Sequence, residues 1–421
     1  MKVILSYLAS FAVCLALMSM GGEAQDADAD RFCAVAPFDA LCPEFPYDQP
    51  EFARNFEYMI VAKGVQSPFD AFGWKAFTAL NWQDYSGKAG PDQWQDFMRA
   101  DKVVGRDPAG AQCANAPGPL RFTDIRQADG TVLIAQNGQP VVYETRINAT
   151  AADYLARAST LDINFPRGGT PDMRPSVHLK SAWIMLQDDD PNFITARGAI
   201  YIAPSGSATG EALCIEGLFG LIGLHIVAKV ASGNGDEWIW STFEHKNTAP
   251  TSSAARKINS VFSKTLFAEG CPVDNTVVSR RSQPLLYDPD CPDCVLNMPY
   301  SDVLIWHENW PHARGPKGAK LPASQVTRCW EIFEPTQNTN AKWQQKLAGT
   351  VLENYQLISA QWRGAQKNPL FEHGELPRYV SNVTMESFLQ TEGQGTCLGC
   401  HAGALTSDSQ PADFAFYLRD F

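Results

Sequence analysis

The chain is short of basic charge, sparing with histidine and, beyond its N-terminus, without any long apolar run. Lys and Arg number 34 against 46 Asp and Glu, a net charge of −12. That balance argues against nucleic acid or anionic lipid as the main partner, since both demand a basic surface. It suits docking to a basic protein. After Met20 no stretch is apolar and long enough to cross a bilayer. No internal repeat appears, so nothing points to a solenoid or propeller. With only 7 His in 421 residues, a histidine inside a pattern carries weight.

What is present begins at the N-terminus. Lys2 precedes an uncharged, mostly apolar run from Val3 to Met20, followed by Gly21, Gly22, Glu23 and Ala24. A basic start, an apolar run and small residues predict a secretory signal peptide over 1–24, hence export, in a bacterium to the periplasm. Hydrophobic residues make up 45% of the chain and aromatics 11%, enough for a substantial core.

Near the other end stands Cys397-Leu398-Gly399-Cys400-His401. Two thiols three positions apart with an imidazole directly after are the pattern for covalent attachment of one haem c. Each Cys would form a thioether, and His401 would be the proximal iron ligand. By composition the pattern arises by chance in about 0.005 of such chains. The competing readings are a disulfide or half of a zinc site, the other half being Cys291-Pro292-Asp293-Cys294. Apart from Cys14 and the motif pair, eight Cys remain, and an oxidising compartment allows up to four disulfides. Cys33–Cys42 and Cys291–Cys294 are plausible local pairs.

Along the chain, Phe69, Phe72, Phe77 and Leu80 recur at helical spacing and predict a helix from Phe69 that ends near Asn81. Pro91 followed by Trp94, Phe97 and Met98 predicts a second over 92–104. Three strand pairs follow: 131–135 with 141–147, 177–186 with 193–203, and 218–230 with 237–245. The acidic turn Asp188-Asp189-Asp190 joins the second pair. Trp343, Leu347, Val351, Tyr355, Ile358 and Trp362 predict a long helix over 341–362, and 383–391 a short one. The expected fold class is α+β: a β-rich body over 25–380 with flanking helices, and a haem-c segment over 381–421 packed against it.

Only 20 residues follow His401 and none is Met, so the segment is no self-contained small cytochrome. A sixth ligand must come from upstream or be absent. His225 is the first candidate and His245 the second, both on the 218–245 hairpin, with Met385 next and Met298, His307 and His312 behind. If paired residue numbers sum to 468, the two histidines share a face; a sum of 469 puts them on opposite faces, with Glu244 opposite His225. The aromatic run Trp238 to His245 is either a site-facing wall or a core strand ending in a buried Glu-His pair.

Four stretches carry a resemblance: Phe77-Thr78-Ala79-Leu80-Asn81-Trp82, Gly223-Leu224-His225-Ile226-Val227, Trp240-Ser241-Thr242-Phe243-Glu244-His245, and Asn382-Val383-Thr384-Met385-Glu386 leading to Cys397. Together with the C-terminal haem motif, they resemble exported proteobacterial monohaem cytochrome c family proteins. The resemblance implies haem c in the periplasm and supplies no substrate. Three functions stay open. One is electron transfer with a dehydrogenase or respiratory partner. The second is a peroxidase or oxygenase with an open distal position, where Glu244, His245 or Arg378 would act as acid, base or stabiliser and a small-molecule substrate would bind. The third is a haem-based binding or sensor protein.

Overall fold

The computed structural model describes residues 41–48, 66–83, 87–170, 172–231, 238–257, 285–291, 294–363, 375–377, 380–390 and 396–420. The 1–24 leader, Cys33, His373, Arg378 and the 232–236 turn lie outside the described residues.

The architecture is α+β. Its strands are β1 Met98–Arg99, β2 Leu120–Phe122, β3 Val142–Ile147, β4 Val177–Leu186, β5 Thr195–Ile202, β6 Leu213–Lys229, β7 Trp238–His245, β8 Thr251–Arg256, β9 Ile305–Trp306, β10 Ala313–Arg314, β11 Arg328–Trp330, β12 Tyr355–Arg363 and β13 Glu375–Leu376. Nine of these form one sheet, ordered β1-β3-β4-β6-β7-β12-β13, with β5 also on β6 and β2 on β5. The helices are α1 Gln66–Leu80, α2 Ala100–Val103, α3 Pro108–Gln112, α4 Ala149–Leu155, α5 Glu334–Lys346 and α6 Cys397–His401.

The organising strand is β6. Its 17 residues serve three neighbours: β4 runs antiparallel along one edge, while β7 and then β5 share the other. The expected pairing of 177–186 with 193–203 is therefore wrong, because β6 lies between them. The acidic linker signals a chain reversal, and a reversal does not say which strand fills the gap.

Alternate residues divide the sheet into two faces. Leu224, Ile226, Ile239, Phe243 and Leu357 join α1 and α5 in the main core. Phe77 stacks on Phe243 with ring centroids 4.4 Å apart, and Trp74 meets Phe243 edge-on at 5.0 Å. Gly73 allows this closeness, since a Cβ there would stand 2.7 Å from the Ser241 Oγ. The helix predicted from the Phe69–Leu80 spacing is thus present. The other face carries Val227, Trp238 and Trp240, which pack with Leu398, Ala404, Ala412, Ala415 and Leu418.

Three sequence expectations give way to tertiary contacts. Residues 92–104 form a 3-10 turn over Trp94–Asp96, then β1 and α2. The buried Arg146 guanidinium donates to the Gln95 and Phe97 carbonyls, which are lost to a continuous helix. The helix expected over 341–362 stops at Lys346, and Gly349 turns the chain at φ 83°. Its second half becomes β12, because pairing with β7 outweighs the helical spacing of its apolar residues. Residues 383–390 form turns rather than a helix, Thr391 lying outside the described residues: the Asn382 Oδ1 accepts from the Thr384 amide and hydroxyl, and the Val383 amide donates to Glu244.

Candidate functional site

The motif occupies a single short helix. Thr396 caps α6, its Oγ1 accepting from the Gly399 amide at 3.2 Å. One helical turn brings Cys397, Cys400 and His401 to neighbouring positions. Gln361, fully buried on β12, holds the start of α6: its Oε1 accepts from the Leu398 amide at 2.7 Å, while Nε2 donates to the Pro377 carbonyl and the Thr396 Oγ1.

Both motif thiols are free, Cys397 half-buried and Cys400 exposed. Cys291 and Cys294, with the same spacing, are joined by a disulfide, as are Cys113 and Cys214. Cys42 and Cys329 each take part in a disulfide of their own. The zinc reading loses its second half, since Cys291 and Cys294 are consumed by each other. Among the described residues no group of three or more His, Cys, Asp and Glu is arranged to hold a metal ion. Burial, with Glu386 adding to it, pushes the Cys397 thiol well above its ordinary range, whereas zinc takes thiolates.

His401 is oriented by its own segment. Its Nδ1 donates to the Phe414 carbonyl at 2.7 Å, and its ring lies between Trp240 at 4.1 Å and Phe416 at 4.8 Å. Burial holds the imidazole neutral, its pKa lowered to about 3 despite the Phe414 carbonyl pulling it up. With Nδ1 committed, Nε2 is the nitrogen left for a metal.

The two candidate distal histidines part company. The β6–β7 ladder pairs His225 with Thr242 and Gly223 with Glu244, so paired numbers sum to 467, two short of the register that placed Glu244 opposite His225. His225 and His245 therefore face opposite sides. His245 points into the α1 side, stacked on Phe193 at 4.3 Å, with Nε2 on the Asn192 carbonyl and Nδ1 accepting from the Asn247 amide. Neither nitrogen reaches the motif.

His225 does reach it. With Trp240, Ser381, Glu386, Thr396 and the three motif residues, it lines a cavity of about 30 Å3. It is 2% exposed. Its Nε2 lies 2.9 Å from the Glu386 Oε1, and its Nδ1 has no hydrogen-bond partner among the described residues. Burial would raise the Glu386 carboxyl, but His225, by charge and by hydrogen bond, overrides this and lowers it. Met385, fully buried, belongs to a separate cluster with Tyr143, Ile222 and Val383. Met298 is 59% exposed, and His307 and His312 bond to each other's backbone in a distant loop.

Three of the four singled-out stretches meet here. Asn382 donates to the Thr242 Oγ1 and the Phe243 carbonyl, both at 2.8 Å. Glu244 accepts from the Val383 amide at 2.8 Å and pairs with buried Arg328. Burial raises the Glu244 carboxyl even against that partner. Gly223 leaves room for the Asn382–Glu386 turn, since a Cβ there would fall 2.0 Å from the Thr384 Oγ1. The fourth stretch, on α1, braces the same strand from behind. The run Trp238 to His245 is thus both wall and core: Trp238, Trp240, Thr242 and Glu244 face the site, and Ile239, Ser241, Phe243 and His245 the main core.

Gln361 and Phe414 were not foreseen as site residues, and Trp240 was foreseen only as part of the Trp238–His245 wall. Trp240 has a trace in the alternation of β7; Gln361 and Phe414 act through backbone contacts that leave no sequence mark. Comparison with protein-family models, curated proteins and solved structures finds no match.

Proposed function

We propose that this chain is an exported monohaem c-type cytochrome that passes electrons to or from a dehydrogenase or respiratory partner in the periplasm. The observation that carries the reading is the His401 imidazole: neutral, fixed by the Phe414 carbonyl at Nδ1, and next to two free thiols in a protein whose other described cysteines are disulfide-bonded. The donor set fits the group: Cys397 and Cys400 would hold the haem by thioethers, and His401 would ligate iron. The cavity of about 30 Å3 is far smaller than a macrocycle, so most of the haem would lie outside it. The haem would supply a one-electron couple. The protein orients the ligand, seals its ring between Trp240 and Phe416, and stations the His225–Glu386 pair alongside. Disulfides favour an oxidising compartment. Among the described residues no helix is long and apolar enough to cross a membrane. The net charge of −12 suits a basic redox partner.

A second reading, a haem peroxidase or oxygenase, draws on His225. Its Nε2 bonds Glu386, which provides a buried proton donor or acceptor beside the motif, while its Nδ1 is left open. Absorption and EPR spectra of the purified protein separate the two. The carrier reading expects a low-spin, six-coordinate ferric haem indifferent to cyanide and peroxide; high-spin, ligand-accessible iron sinks it in favour of the enzyme. His401→Ala should abolish the native spectrum, and survival of that spectrum refutes both.

A further inference from the structure

The carbonyl that orients His401 comes from an unfavourable piece of backbone. Asp413 and Phe414 are consecutive non-glycine residues at φ 44° and 69°. Each left-handed residue of this kind costs on the order of 1–3 kcal/mol and persists only where its surroundings enforce it. Here the enforcement is visible. Asp413 is clasped by the sheet: its Oδ2 accepts from the Lys229 Nζ at 2.8 Å and the Phe165 amide at 2.8 Å, and its Oδ1 from the Trp238 Nε1 at 2.9 Å. Lys229 in turn donates to the Asn164 Oδ1 at 2.7 Å. Its ammonium sits 5.5 Å over the Trp238 ring. Side-chain exposures of 5% for Lys229 and 11% for Asp413 make this a buried ion pair.

Such a pair is a poor device for stability alone, because removing two charges from water offsets most of their attraction. Its placement suggests another use. Lys229 ends β6, Trp238 begins β7, and both lie on the face that receives the motif segment. Asp413 immediately precedes the residue whose carbonyl meets the ligand ring.

We propose that Lys229 and Asp413 are positioning residues for the His401 imidazole: their clasp holds the Asp413-Phe414 turn so that the Phe414 carbonyl keeps accepting from the His401 Nδ1, and thereby sets the imidazole's strength as a ligand and the redox potential a haem held there would have. The inference rests on the haem reading above. A hydrogen bond from Nδ1 strengthens the ligand and favours the oxidised metal, so loosening the clasp raises the midpoint potential.

The test uses the full-length haem-loaded protein with Lys229→Met, Asp413→Asn and the double variant. Asn tolerates the left-handed region, so Asp413→Asn removes charge without removing the turn's conformational licence. The double variant strands no charge and guards against singles that fail to fold. Midpoint potential and the paramagnetically shifted ring resonances of His401 are read. Positioning predicts that both singles raise the potential and move the ring resonances, the double by no more than the larger single. Simple electrostatics predicts otherwise: losing a cation lowers the potential and losing an anion raises it. Opposite-sign shifts, or unchanged potentials and resonances in folded variants, overturn the inference and leave the haem reading intact. A wild-type protein without covalent haem overturns the haem reading and this inference with it.

Discussion

Asp70 offers a quantitative check on the packing behind the site. It is fully buried in α1 and accepts from the Gln66 Nε2, the Thr336 Oγ1 and the Ala360 amide, tying α1 to α5 and β12. Burial outweighs these three donors and lifts its carboxyl from 3.8 to about 7. A folded-state pKa above the unfolded one gives a contribution that is complete below about 3.8 and lost as pH rises through about 7. The gap of about 3 pH units, at roughly 1.36 kcal/mol each, amounts to about 4 kcal/mol. Asp70→Asn abolishes this titration while keeping the shape. Urea denaturation of both proteins at pH steps from 4 to 8, disulfides intact, should show the stability difference moving in the variant's favour by about 4 kcal/mol. Parallel stability curves would refute the claim that Asp70 is held neutral by burial.

Gly223→Ala should cost about 1–3 kcal/mol by overpacking against Thr384, and the loss should shrink in a Thr384→Ala background, read from denaturation midpoints. Glu244→Gln strands the buried Arg328 and should cost about 3–5 kcal/mol, with faster hydrogen exchange at the Val383 amide. His245, lowered to about 4 chiefly by burial, contributes stability present above pH 6.5 and lost as pH falls towards 4. His245→Phe should flatten acid denaturation across that window, and it should leave any visible spectrum unchanged because the ring faces away from the motif.

The motif, α1 and the β6–β7 hairpin were legible because each is signalled locally, by spacing or by alternation. What was not legible depends on distant partners. Nothing near 177–203 announces that β6 will lie between its two strands. Nothing in 218–245 distinguishes a ladder summing to 467 from one summing to 468, although that single step decides whether His245 shares a face with His225. At 355–363, helical spacing and strand composition coexist, and only the β7 edge resolves them. Gln361 and Lys229 are ordinary polar residues in sequence; their partners lie 37 and 184 positions away.

The two-faced sheet also has a consequence for biogenesis. β4, β6 and β7 pair within a short reach of one another, but the face carrying Val227, Trp238 and Trp240 is covered by residues far downstream. Phe165 and Asp413 are separated by 248 positions, Trp238 and Asp413 by 175. Contacts of such separation form late, after the loop-closure entropy has been met. A premature stop or proteolytic clip before residue 396 would therefore leave a nearly finished sheet with an indole-rich surface open to water. Such a surface drives self-association, so the segment that carries the haem motif also acts as the sheet's solubilising cover.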